Sequence, residues 1–185
     1  MPDKKEIFPA QPSLVGKNVF LRAAKSDDIV NAYHWFIVSE PQYLSCQPVP
    51  FQTPSQRAEL RKQNPNPECQ LLTIVRKADK VPVGQLSFYD YNPLNQSVAM
   101  GAIIDPDQRR NGYAREAVRI LIKYLFKYRN INKVYAETAE FNTEAVALLE
   151  SVGFKKDGTL RQHYFYEGGF HDKVVYSFLR FELDW

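Results

Sequence analysis

Three strand-like segments follow one another between residues 71 and 104, and short links separate them. The segments span residues 71–76, 82–91 and 97–104, and they are rich in apolar, β-branched and aromatic side chains. Consecutive strands joined by short turns favour a β-meander, in which each strand runs antiparallel to its neighbour. This stretch therefore predicts the antiparallel centre of a sheet.

The segments around this meander alternate between helix and strand. A strand and two helices precede it, and a helix, a strand, a helix and two strands follow it. Only the part after the meander has the order of a βαβ unit, so the sequence predicts an α/β fold with one mixed central sheet flanked by helices. The predicted flanking elements are a strand at 18–22, a helix from Ser26, a helix at 54–64, a helix at 111–128, a strand at 133–139, a helix opened by Asn142 and ended before Gly153, and strands at 159–166 and 174–182.

The chain of 185 residues predicts one domain. Residues 1–16 are polar and proline-containing and are interpreted as a flexible arm, which leaves 17–185 as the domain. No segment approaches the ~20 apolar residues of a membrane span, and no signal peptide is recognised, which predicts a cytoplasmic protein. A formal net charge of +3 is too small to indicate a nucleic-acid or membrane partner.

Cysteine and histidine spacing indicates no metal site. Cys46 and Cys69 do not form a Cys-x-x-Cys pair, so neither zinc binding nor a disulfide framework is predicted. The three histidines show no ligand spacing either, and we predict no metal; they are His34, His163 and His171.

The segment 108–114 lies between a strand and an amphipathic helix, where backbone N–H groups of the first helical turn lack partners. Such a helix start suits an anion, and a glycine at 112 permits a phosphate to approach the backbone closely. A plain loop-to-helix turn explains the same residues, and local chemistry leaves both interpretations open. The candidate phosphate-binding residues are Arg109, Arg110, Asn111, Gly112, Tyr113 and Ala114.

A basic stripe follows on the helix, with Arg115, Arg119, Lys123 and Lys127 recurring every fourth residue. This spacing places them on one face. It is typical of a solvated helix face, and it also suits the outlying phosphates of a nucleotide-like cofactor.

With these motifs the sequence resembles the Gcn5-related N-acetyltransferase (GNAT) family. The segment 109–114 (RRNGYA) matches the family's cofactor motif Arg/Gln-x-x-Gly-x-Gly/Ala. The helix that Asn142 opens and Gly153-Phe154 ends resembles the family's second signature. Glu116-Ala117 and the segment 157–161 (DGTLR) are similar to the branch that acetylates the N-termini of ribosomal proteins. The resemblance covers about residues 17–183.

The resemblance implies a splayed sheet that binds acetyl-coenzyme A. The strand ending at Ile103 and Ile104 would pair its backbone with the pantetheine arm, and the turn 109–114 would hold the pyrophosphate. Asn142 would contact the cofactor across the splay. The implied reaction is direct attack of a neutral amine on the thioester, without a covalent enzyme intermediate.

This reaction needs a base for the amine and an acid for the departing thiolate. Glu137 is the candidate base, with a salt bridge or hydrogen bond in the sheet as the alternative role. Some family members use a tyrosine as the general acid, and this chain has Leu149 at that position; another branch has a serine where this chain has Ala145. Tyr164 is therefore the candidate acid, with Tyr166 and a purely packing role as alternatives.

The function predicted by the resemblance is N-acetylation of a primary amine. The acceptor classes left open are a protein N-terminus, an amino sugar and another small amine, with polyamines disfavoured by the few carboxylates near the predicted acceptor segments. Two alternatives are a non-catalytic acetyl-coenzyme A sensor and a nucleic-acid binder that uses the basic helix. A monomer and a homodimer are both compatible with the sequence.

Overall fold

The computed structural model describes residues 14–39, 51–63 and 69–184, and these form a seven-stranded sheet with helices on both faces. The strand order is β1-β2-β3-β4-β5-β7-β6. Every predicted helix and strand is present, and the predicted α/β class is confirmed. The elements are β1 Val19–Ala23, α1 Ser26–Val38, α2 Pro54–Gln63, β2 Gln70–Arg76, β3 Pro82–Asn92, β4 Ser97–Ile104, α3 Tyr113–Tyr128, β5 Lys133–Ala139, α4 Thr143–Val152, β6 Lys155–Tyr166 and β7 Gly169–Leu179.

The sheet opens between β4 and β5, the one parallel pair among the described strands. These two strands pair only over residues 97–99 and 133–135, although both continue well beyond that point. All other neighbouring strands pair antiparallel. The mixed, splayed sheet expected from the resemblance is thus present, and the splay leaves a gap lined by two strand edges.

The main core lies on the face of the sheet that α3 covers. Val118, Leu121 and Leu125 of α3 are almost fully buried, as their helical spacing predicts. They belong to one apolar cluster with Val98 of β4 and Val134 of β5. Because α3 is fixed by this burial, the turn that precedes it is held in a defined place above the splay.

The two last strands are longer than the sequence predicted. β6 begins at Lys155 rather than 159, and β7 begins at Gly169 rather than 174. Most side chains of β6 are exposed, and its register shifts twice where it pairs with β7. An exposed, bulged strand lacks a regular alternation of apolar and polar residues, which explains why the predicted strand was too short.

Glu116 joins α3 to the start of β1. Its Oε1 accepts a hydrogen bond from the backbone N–H of Asn18 at 2.8 Å, and its Oε2 accepts one from Asn18 Nδ2 at 2.9 Å. Burial raises the pKa of the Glu116 carboxyl, but these hydrogen bonds outweigh burial and hold it below its usual value. The residue that the sequence analysis noted only as a branch signature thus has a structural role.

We expect Glu116→Gln to destabilise the protein by about 1–3 kcal/mol at pH 7, because a charge-assisted acceptor of three N–H donors is lost. A lowered pKa in the folded state adds stability that is complete above about pH 4.5 and is lost as the pH falls through the folded-state pKa. Urea unfolding at pH 7 and pH 3 should therefore show a difference between wild type and variant that shrinks in acid. Glu140→Gln, at an exposed carboxylate, is the control, and a difference independent of pH would contradict this role for Glu116.

Several predictions fall on residues outside the described part. Residues 1–13 of the predicted arm and Cys46 are among them. Leu14 is buried and Val15 forms a bridge with Phe20, so residues 14 and 15 of the predicted arm pack against the domain. Cys69 is a free thiol.

Candidate active site

A cavity of about 630 Å³ occupies the gap between β4 and β5. The turn before α3 closes one side of it, and the start of α4 closes the other. All nine candidate cofactor-binding residues line it, and so does Glu137. The nine are Ile103, Ile104, Arg109, Arg110, Asn111, Gly112, Tyr113, Ala114 and Asn142.

The turn before α3 presents backbone rather than side chain to this cavity. Gly112 is the N-cap of α3 with φ of 77°, in the left-handed region that favours glycine. It offers no side chain to cap the helix, and a Cβ built on it would meet nothing within 4 Å. The residues that carry the N–H groups of the first helical turn line the cavity at the positive end of a 16-residue helix. This arrangement can bind a phosphate.

The free edge of β4 supplies hydrogen-bonding groups for an extended ligand. Beyond Ala99, no described strand pairs with the edge of β4 that faces β5. On its other edge, Ile103 and Ile104 remain paired with β3. An extended chain lying in the gap can add to this edge by backbone hydrogen bonds, as an added strand does.

Two polar side chains brace the walls of the cavity. Arg109 donates from Nη2 to Ser39 Oγ at 2.8 Å, and its Nη1 lies 3.9 Å from Glu144 Oε2, so it connects α1 with α4. Asn142 caps α4 by accepting from the backbone N–H of Ala145 at 3.1 Å, and it donates to Thr138 Oγ1 at 2.9 Å. Both residues therefore have positions fixed by the protein before any ligand binds.

The basic stripe of α3 is exposed along its length, as on a solvated helix face. Of its members, only Arg115 lines the cavity, and Lys127 lies over the ring of Tyr128. Arg115 is thus the cation of the stripe that is placed to meet a phosphate at the helix start.

Glu137 lies on β5 just past the last residue that pairs with β4. Its Oε2 accepts a hydrogen bond from Lys173 Nζ at 2.7 Å, and its side chain keeps 35% exposure against 10% for that of Lys173. The salt bridge considered as the alternative role is therefore present, and the carboxylate still faces the cavity. Tyr164 does not line the cavity; Lys173 Nζ lies 5.7 Å from the centre of its ring.

The family model described as "Acetyltransferase (GNAT) domain" matches residues 18–155. The chain belongs to the GNAT acetyltransferase family. It is an N-acetyltransferase by family, and acetyl-coenzyme A, which the family uses, is its acetyl donor.

Relatives of this GNAT protein carry different acceptor names. A spermidine N(1)-acetyltransferase of Vibrio cholerae is 27% identical over 66% of this chain and 71% of its own length. A putative ribosomal N-acetyltransferase, YdaF of Bacillus subtilis, is 30% identical over 55% of each chain, so the match spans about half of it. The structure of the Vibrio cholerae spermidine N-acetyltransferase with CoA and spermine superposes with a TM-score of 0.75 at 22% identity, covering 89% of this chain and 97% of that one. At that identity, the superposition shows a shared fold.

The cavity has an apolar wall at the two positions where the family resemblance implies a tyrosine or a serine in other members. Leu149 is buried and lines the cavity from α4, and Ala145 lines it one turn earlier. Neither side chain can donate a proton. An acid for the thiolate, if a side chain supplies one, must come from another element.

Sequence reasoning missed a tyrosine–carboxylate cluster beside Glu137. The hydroxyl of Tyr135 donates to the carboxylate of Asp90, which joins β5 to β3. Burial, followed by this hydrogen bond, raises the pKa of Tyr135 far above its usual value. Burial also raises the pKa of Tyr89, with the charge of Glu137 as a second cause. Both tyrosines therefore stay protonated at neutral pH. The only sequence signal for this cluster is the alternation of β5, which puts the side chains of Tyr135 and Glu137 on one face of the sheet.

Two further observations concern classes of site and segment. Within residues 14–39, 51–63 and 69–184, no three His, Cys, Asp or Glu side chains are grouped so as to hold a metal ion. Among the helices of the described ranges, none is both long and apolar enough to cross a bilayer.

Proposed function

We propose that this protein transfers the acetyl group of acetyl-coenzyme A to a primary amine by direct attack in the cavity between β4 and β5. The observation that carries the proposal is the convergence of three features on one cavity. These are the Gly112 turn at a helix start, the unpaired edge of β4, and a carboxylate, Glu137, where β5 diverges from β4.

The cofactor would be held mainly by backbone. The N–H groups after Gly112 and the side chain of Arg115 suit the phosphates, and the edge of β4 through Ile104 suits the amides of the pantetheine arm. These contacts would direct the thioester to the splay, so that reactive groups are brought together in a fixed orientation.

In the reaction, the amine nitrogen forms a bond to the acetyl carbon as the carbon–sulfur bond breaks. The proton lost by the amine passes to Glu137, directly or through water, and the thiolate takes up a proton. Lys173 would hold the carboxylate in its orientation toward the cavity. Tyr164, connected to Glu137 through Lys173 in the described contacts, remains the predicted acid.

Two observations favour a second candidate function, that of a non-catalytic acetyl-coenzyme A sensor. Leu149 replaces a proton donor in the cavity, and Glu137 is engaged by Lys173. A sensor would bind acetyl-coenzyme A and release no coenzyme A when amines are added.

The test is acetylation of an amine panel, followed by thiol release and by mass spectrometry of the products. The panel comprises spermidine, an amino sugar and peptides with free N-termini. Amine-dependent thiol release that matches acetylated product would support the enzyme. Tight binding of acetyl-coenzyme A with no product from any acceptor would favour the sensor.

A further inference from the structure

A second cavity, of about 290 Å³, adjoins the first on the face of the sheet under α1 and α2. The two cavities share Phe36 of α1 and the residues Gly101, Ala102 and Ile103 of β4. A molecule in the second cavity therefore lies next to the first cavity.

The second cavity is cationic. Arg57 and Arg61 lie one turn apart on α2 and both line it, and none of its described lining residues is acidic. The Arg57 guanidinium lies 5.9 Å from the centre of the Tyr33 ring, and Arg61 donates to Cys69 Sγ at 3.3 Å. In the described ranges, neither arginine has a carboxylate within salt-bridge distance, in contrast to Arg22 and Arg76.

The floor of this cavity holds an unused donor. Gln85 of β3 lines it, and its Nε2 is buried without a hydrogen-bond partner in the described structure. A buried donor without an acceptor is costly, and a ligand oxygen would remove that cost. Two guanidinium groups and an amide N–H around one space form a site for a carboxylate or phosphate.

This anion site and Glu137 lie on the same face of the sheet. Gln85 pairs with Ile103 and Ser87 pairs with Gly101, and alternation puts all four side-chain directions on one face. Tyr135 pairs with Ala99 of the same row, so Glu137, two residues farther along β5, faces the same side across the splay. Adjacent paired strands are about 4.8 Å apart, and Gln85 on β3 and Glu137 on β5 are separated by at least two such strand spacings.

We propose that the acceptor is an amine that also carries an anionic group, a carboxylate or a phosphate, several atoms away from the reacting nitrogen. The anion binds Arg57, Arg61 and Gln85 while the amine lies beside Glu137. The inference rests on the proposed acetyl transfer and names the acceptor class for it. A polyamine is disfavoured, because its second cation would face two arginines.

The first test compares four amines of matched length: aminohexanoate, aminohexyl phosphate, hexylamine and diaminohexane. We expect kcat/KM to be highest for one of the two anionic amines, which also identifies the anion, and lowest for diaminohexane. Arg61→Gln should reduce kcat/KM for that anionic amine roughly 10- to 100-fold and leave hexylamine unchanged. Lys62→Gln, at the next position of α2 and outside the cavity, is the charge-matched control. Arg57→Gln repeats the test at the second arginine of the same cavity.

Equal kcat/KM for anionic and neutral amines, unaffected by Arg61→Gln, would overturn the anion site and leave acetyl transfer standing. A second arm separates the two proposals if no amine is acetylated. Hexanoate and hexyl phosphate are titrated by calorimetry into the protein saturated with coenzyme A. If hexanoate or hexyl phosphate binds, and if Arg61→Gln weakens this binding while Lys62→Gln does not, the anion site is supported even though acetyl transfer has failed. If neither anion binds to wild type, the anion site is overturned.

Discussion

We expect Gly112→Glu to weaken the binding of coenzyme A by roughly 100-fold or more. Gly112 is the N-cap of α3 and lines the cavity, and open space lies where its side chain would begin. A carboxylate there would fill the space proposed for the pyrophosphate and place two negative charges together, which costs several kcal/mol in a binding site. The measurement is calorimetric titration of coenzyme A into the purified variant.

The chain offers a matched control in Gly168→Glu. Gly168 also has a left-handed φ, of 79°, and a Cβ built on it also meets nothing within 4 Å, but it lies in the turn between β6 and β7. Both variants incur the backbone strain of a left-handed residue, so that strain cancels in the comparison. If Gly112→Glu binds coenzyme A as Gly168→Glu and wild type do, the turn before α3 does not hold the cofactor.

We expect Glu137→Gln to lower kcat roughly 100- to 1000-fold at neutral pH while the affinity for coenzyme A stays near that of wild type. A glutamine cannot accept the amine proton, and general-base catalysis contributes on this scale. The loss should shrink as the pH approaches the pKa of a free amine, about 10, where the acceptor loses its proton unaided. Steady-state kinetics across pH with a validated acceptor measures both effects.

A companion variant separates catalysis from structure at this position. Glu137→Gln also breaks the ion pair with the buried Lys173, and removal of one partner of such a pair destabilises a protein. Lys173→Met breaks the same pair and leaves the carboxylate in the cavity. If Lys173→Met lowers kcat as much as Glu137→Gln, with the same pH profile, Glu137 acts only through the ion pair.

The fold was largely predictable because its signals are local. The apolar spacing of Val118, Leu121 and Leu125 and the short links of the meander depend only on neighbouring residues, and both predictions are confirmed. The predicted bounds of β6 and β7 were wrong, because pairing within an exposed hairpin, and not burial, determines where these strands begin.

The candidate site was predictable only in part. The turn at Gly112 has a sequence motif, because one short segment forms it. The partner of Glu137 is Lys173, 36 positions away in the chain, and the partner of Tyr135 is Asp90. Such pairs depend on strand order and on register across the splay, which no local pattern carries. The cationic cavity beside Arg61 likewise exists only after α2 is laid over β3 and β4.

The measurement that tests the central claim most directly is release of coenzyme A thiol from acetyl-coenzyme A, with and without amine acceptors. We predict release that depends on the amine, that equals the amount of N-acetylated product, and that Gly112→Glu abolishes while Gly168→Glu does not. Saturable binding of acetyl-coenzyme A with no amine-dependent release across the panel would contradict acetyl transfer in this cavity.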